Sequence, residues 1–171
     1  MNFDLAFSRL LGQEGGFTDD RQDKGNWTGG KVGVGALKGS KYGISAMSYP
    51  MEDIRNLSEA RAKAIYLRDF WGPAGCDLVP TPLKYPLFET AVHTSAPGRP
   101  TFAIKLVQRA AGVQDDGIIG PITMQAISSA DPYRLTARFY GFRLDHLNDL
   151  PAWAHYSKGW AQRIADNLKE L

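Results

Sequence analysis

A chain of 171 residues with 43% hydrophobic and 11% aromatic side chains has the size of one domain, or one domain with a small appended module, and can bury a core; disorder is excluded. A formal net charge of +2 without a dense Lys/Arg run argues against nucleic acid as a partner. A lone Cys76 excludes an intramolecular disulfide.

Taken in chain order, Phe3, Phe7 and Leu10 or Leu11 recur at helical spacing, with Asn2 as N-cap and Gly15-Gly16 as a stop. Asp4 and Arg9 interrupt the apolar run and no basic leader precedes it, so this opening reads as an amphipathic helix, not a signal peptide or membrane span. That predicts synthesis in a cytoplasm and no membrane insertion. Residues 19–41 are polar and glycine-rich, hence loop or short hairpin. Ser58 can cap a helix to about Trp71, with Ala60, Ala64, Leu67 and Trp71 as its stripe. Pro73, Pro80, Pro82 and Pro86 break up the next stretch, and a short helix follows with Leu87, Phe88, Ala91 and Val92.

Residues 95–100 are the best internal boundary, dividing a region 1–94 from a region 95–171. Beyond it helices are expected around 101–111, 122–129, 132–148 and 153–169, with Pro121 and Pro132 in first turns. In the last helix Trp153, Tyr156, Trp160, Ile164 and Leu168 form a stripe that reads as core rather than sugar platform. The class is mainly α, with room for a small β-hairpin within 19–45.

Glu14 continues the Phe3–Phe7–Leu10 stripe and so should face the core side of the first helix. In a last turn the negative end of the helix dipole disfavours an anion, and partial burial acts in the same direction, raising the carboxyl pKa. A carboxylic acid still protonated near neutral pH can donate a proton to a leaving glycosidic oxygen. Gly15-Gly16 would let a bulky sugar approach closely. A Glu at a helix end is nonetheless common, so this signal needs its neighbours.

Those neighbours are Glu14-Gly15-Gly16-Phe17, then Asp20, Asp23, Gly25 and Thr28, and later Tyr42-Gly43-Ile44-Ser45. Together with Tyr66, Phe70-Trp71 and Gly75-Cys76-Asp77 they resemble the glycoside hydrolase 108 family. In the second half, Gln108-Arg109-Ala110-Ala111-Gly112-Val113, Asp116-Gly117-Ile118-Ile119-Gly120-Pro121 and Thr123 resemble the small peptidoglycan-binding (type 3) module that usually follows, as do Tyr140 and the Gly159-Trp160…Arg163-Ile164 step. The resemblance covers nearly the whole chain.

It implies a lysozyme-like helical catalytic region packed with a helical C-terminal module as one unit. The implied activity is that of an endolysin-type N-acetylmuramidase cutting the β-1,4 bond between N-acetylmuramic acid and N-acetylglucosamine. Glu14 would be the acid, and Asp23 or Asp20 with Thr28 would guide the water. Asp20, Tyr42, Ser45 and His93 are expected to touch substrate. A lytic transglycosylase and a non-catalytic wall-binding protein are the alternatives. Peptidoglycan is the expected partner, a holin or another export route would give access to it, and a monomer without metal or organic cofactor is expected.

The chain departs from the family pattern twice. A glycine- and lysine-rich insertion at about 29–41 separates Thr28 from Tyr42, and reads as a mobile flap or a long hairpin tip. Val92-His93-Thr94-Ser95 stands where the family commonly has a Val-Asn-Ser-Gly-like run. His93, His146 and His155 lack metal-ligand spacing, and Cys76 is most simply a small core residue.

Overall fold

The computed structural model describes residues 1–12 and 16–171. The expectations for Glu14 and for a stop at Gly15 lie outside the described residues. Among those residues the chain is mainly helical with one two-stranded sheet, and no helix is long and apolar enough to cross a membrane. It forms two compact units, Phe3–Asp69 and Phe70–Leu171, the latter with Met1–Asn2.

In the first unit, α1 (Phe3–Leu11) buries Ala6, Phe7 and Leu10, the face the spacing predicts. The Phe7 ring lies 5.6 Å from that of Tyr66. Strands β1 (Ser40–Lys41) and β2 (Ile44–Ser45) pair antiparallel, Ser40 with Ser45 and Lys41 with Ile44. Tyr42 and Gly43 turn the hairpin with φ of 52° and 72°. Two positive φ values in a two-residue loop match the right-handed strand twist. The left-handed Tyr42 is anchored, because its carbonyl accepts the Tyr66 hydroxyl at 3.0 Å.

The glycine-rich insertion is a second hairpin-like arm. Trp27 bridges Leu37 and Thr18 bridges Ser40, while the Thr28 and Gly29 amides donate to the Ala36 and Val34 carbonyls. The backbone of this stretch has the form of a long hairpin tip. Gly35 has φ +79°, and a Cβ there would lie 2.3 Å from Thr28 Oγ1. Only glycine fits.

Helix α2 (Glu59–Tyr66) starts where Ser58 accepts the Arg61 amide, as the cap rule predicts. Its stripe differs from the expected one. Ala60, Ala64 and Leu67 are exposed, and Ala62, Ile65 and Tyr66 are buried. The larger Ile65 and Tyr66 remove more apolar surface from water than two alanines, so they set the inward face. A π-helical stretch Leu67–Trp71 then widens the turn, bringing Phe70 inside as well as Trp71.

The second unit packs α3 (Thr81–Thr94), α4 (Thr101–Ala111), α5 (Pro121–Ser129), α6 (Pro132–Asn148) and α7 (Trp153–Leu168). Ahead of them the Trp71 indole N–H donates to Asp77 at 3.0 Å and its ring meets Phe88 edge-on. Cys76 is fully buried, and burial pushes its thiol pKa up. It is the core residue the sequence predicts.

Helix α3 corrects the expectation that Pro82 and Pro86 break the chain before a short helix. Pro82 lies in the first turn, where a missing N–H has no intrahelical partner to lose. Pro86 forgoes one helical hydrogen bond and is itself buried, so the helix runs through it. Helices α4 to α7 stand at the expected places. Pro121 and Pro132 occupy first turns, and Gly112 closes α4 with φ 76°. Along α7, Ile164 is buried but Tyr156 and Leu168 are 61% and 39% exposed, so the expected stripe is core at only part of its length. Asn167 is buried beside Ile164, so the inward face of α7 is partly polar.

Candidate functional site

In the first unit the candidate carboxylates sit on one loop organised by Asn26. This side chain is fully buried. Its amide N–H donates to the Asp20 carbonyl at 3.0 Å, its oxygen accepts the Ser40 hydroxyl at 2.7 Å, and its backbone carbonyl accepts the amides of Lys38 and Gly39. One residue thus ties the acidic loop to both hairpin arms. Asp20 accepts the Gln22 amide at 2.9 Å. Asp23 accepts the Gly25 amide at 2.8 Å and caps a 3-10 turn at Lys24–Asn26. Both carboxylates are solvent-facing. Thr28 accepts the Ala36 amide at 2.9 Å through Oγ1, which leaves its hydroxyl hydrogen to donate elsewhere.

Tyr42 is committed through its carbonyl to Tyr66, with the Lys41 ammonium 5.2 Å from its ring centroid. Ser45 exchanges hydrogen bonds with Ser48 in a local turn. On the same unit, Tyr49 donates to Asp69 at 2.9 Å, and Arg68 pairs with that carboxylate through two contacts of 2.6 Å. The Arg68 guanidinium holds the Asp69 carboxyl below its usual range, while burial and then the Asp69 contact push the Tyr49 phenol up. An open groove of about 330 Å³ runs between Leu37, Lys38 and the 51–55 segment, and none of the predicted site residues lines it.

His93 belongs to the second unit, in the last turn of α3, and lies in a different setting from the one expected. Glu89, one turn earlier, is fully buried. Burial would raise its carboxyl pKa, but Arg143, pairing with it closely, and Arg163 hold it below its usual range. Arg143 Nη2 is 3.0 Å from Oε1 and Arg163 Nη1 is 3.4 Å from the same oxygen. His93 Nδ1 lies 2.7 Å from the Glu89 carbonyl and must donate to it, whereas Nε2 lies 2.6 Å from Arg163 Nη1 and must accept. These partners require the neutral imidazole. Burial lowers the His93 pKa in the same direction.

A model of the family described as Glycosyl hydrolase 108 matches residues 7–94, just over half of the chain. The chain belongs to the glycosyl hydrolase 108 family. It is thus a glycoside hydrolase that acts on peptidoglycan. A second model, described as a "Predicted Peptidoglycan domain", matches residues 102–165. The chain is also similar to the solved structure of Brucella abortus SagA, at 23% identity and a TM-score of 0.79 over 98% of this chain and 92% of that one. That likeness shows the shared, mainly α fold. No curated protein matches.

The glycosyl hydrolase span holds every predicted site residue, from Glu14 to His93. The peptidoglycan-domain span holds a polar knot that gives its sequence motif a physical meaning. Buried Gln108 donates to Asp116, the Ile118 carbonyl and Thr123, and accepts the Gly117 amide at 2.7 Å. Those motif residues staple α4 to the turn before α5. Sequence reasoning missed Asn26, Glu89 and Arg143, and read Arg163 only as part of the module motif. A detectable signal existed for Glu89, because a lone carboxylate within the apolar run Leu87-Phe88-Glu89-Thr90-Ala91 must be paired if the helix is buried.

Proposed function

We propose that this glycosyl hydrolase is an endolysin-type N-acetylmuramidase that hydrolyses the β-1,4 bond between N-acetylmuramic acid and N-acetylglucosamine. The observation that carries the reading is the family match over 7–94, which takes in the Glu14-Gly15-Gly16-Phe17 motif. Glu14 protonates the leaving oxygen, the step that a glycosidic bond needs most because an alkoxide is a poor leaving group. A carboxylate on the acidic loop, Asp23 or Asp20, accepts a proton from the attacking water. Thr28, whose hydroxyl hydrogen is uncommitted by its bond to Ala36, donates to the water oxygen and fixes its direction.

The test is digestion of purified peptidoglycan followed by reducing-end and mass analysis. Hydrolysis with a new muramic acid reducing end supports the reading. An anhydro-sugar product identifies a transglycosylase, and intact glycan with retained wall binding identifies a binding protein. In the same assay Glu14→Gln keeps the side-chain volume but removes the transferable proton, and should lower the rate by at least ~100-fold.

A further inference from the structure

We propose that the cleft between the end of α3, α6 and α7 binds an aliphatic carboxylate carried on an N-acetylmuramyl unit, with Arg163 as its cation and Trp160 and Tyr156 as a platform for the ring. The proposal rests on the peptidoglycan reading above and adds a second contact site to it. The cleft encloses about 160 Å³, and His93, Arg143, His146, Leu150, Trp160 and Arg163 line it.

Charge is the first reason. Glu89 supplies one negative charge, Arg143 and Arg163 supply two positive ones, and the hydrogen bonds of His93 keep it neutral. The cluster is left with an excess of one positive charge beside a partly enclosed space. Arg143 spends its terminal nitrogens on Glu89, yet its buried Nε–H has no partner among the described residues. Arg163 is only loosely tied to Glu89 at 3.4 Å and its side chain is 34% exposed, so it retains donors for an incoming anion. A guanidinium presents several donors in one plane, which suits a carboxylate.

The second reason is the wall beside those cations. Trp160 lines the cleft, and the exposed Tyr156 stacks on it with centroids 5.7 Å apart. The stacked pair, exposed at Tyr156 and partly so at Trp160, offers an apolar face that a small inorganic anion would not use. A sugar ring with a carboxylate a few bonds away uses both features. Muramyl units have that form, the carboxylate being either the lactyl group of the sugar or a carboxylate of the attached peptide.

The full chain should be titrated by calorimetry or NMR with N-acetylmuramic acid, muramyl dipeptide and N-acetylglucosamine. Binding of either carboxylate-bearing ligand, without binding of N-acetylglucosamine, is expected. Binding of muramic acid that Arg163→Gln weakens places the lactyl carboxylate in the cleft, and such binding of the dipeptide alone places the peptide carboxylate there. Arg163→Gln should weaken binding about tenfold or more, the scale of one charge-assisted hydrogen bond, and Arg163→Lys should restore part of it. Tyr156→Ala, at an exposed position, should weaken it with an unchanged melting temperature. Equal binding of N-acetylglucosamine, no binding of either acid, or binding indifferent to both substitutions overturns the proposal. Glu14→Gln should bind these ligands like the wild type, so failure here is separable from failure of the muramidase reading.

Discussion

At the scale of single residues, two acids in this chain stand in opposite conditions. Glu14 must carry a proton to do its proposed work, whereas Glu89 is kept ionised by Arg143 and Arg163. The second arrangement makes stability depend on pH with a definite sign. The folded-state pKa of His93 lies below 6.5, so just below that pH the unfolded chain binds a proton that the folded chain refuses. Stability then rises with pH, and the contribution of His93 is full above 6.5 and lost as pH falls. Glu89, lowered from 4.5, acts in the same direction at stronger acidity. Urea midpoints measured between pH 7.5 and 5 should fall toward acid, and His93→Gln should flatten that part of the curve while leaving the fall below pH 4.5. A wild-type midpoint that is constant or rises toward pH 5 would contradict the neutral imidazole. The helpers of Glu14 can be told apart in turnover assays. Asp23→Asn and Thr28→Ala should each slow hydrolysis, with wall binding intact; damage from Asp20→Asn alone would move the role to Asp20.

At the scale of elements, the hairpin arm around Thr28 depends on glycines of two kinds. Gly33 and Gly35 both have left-handed φ, 78° and 79°, but an added Cβ meets nothing within 4 Å at Gly33 and meets Thr28 Oγ1 at 2.3 Å at Gly35. Gly33→Ala should carry the backbone strain alone, about 1–2 kcal/mol. Gly35→Ala carries that strain and also displaces the Thr28 hydroxyl, so it should lose more activity than Gly33→Ala in side-by-side kinetics. Equal activities would show that Thr28 does not act in hydrolysis. The same arm marks where the sequence could be read and where it could not. Caps and proline positions are local chemistry, and Ser58, Pro121 and Pro132 stand where their side chains predict. The inward face of α2 is not local, since it follows from which residues find partners, and alanine spacing pointed to the wrong side. The role of Asn26 was hidden for the same reason, because its partners Lys38, Gly39 and Ser40 are more than ten positions away. The site was legible as a motif around Glu14 and the acidic loop, while the Glu89 cluster joins three helices and leaves only one odd carboxylate in the sequence to announce it.

At the scale of the whole chain, the matched hydrolase span and the compact units have different ends. The family match runs to residue 94, yet α3 packs with α4 and α6 inside the unit that begins at Phe70. A fragment 1–95 would bare Leu83, Leu87, Phe88 and Ala91 and strip Glu89 of Arg143 and Arg163. Each Leu or Phe so bared forfeits about 1.5–3 kcal/mol of burial, together a large part of a domain's stability. Expressed alone, the fragment should be insoluble or lack near-ultraviolet circular dichroism; a soluble fragment with native tertiary signal would show that α3 folds without its partners. The same unit contains the chain's single thiol, Cys76, with no exposed surface and a pKa displaced upward. A disulfide reagent added to the native protein can therefore react only during excursions that bare this atom. The labelling rate, divided by that of an unstructured thiol, equals the fraction of time the surrounding packing is open, provided reclosing is faster than reaction. Cys76 thus makes the wild-type chain its own clock for local opening, with no engineered probe and no second sulfhydryl to confuse the signal.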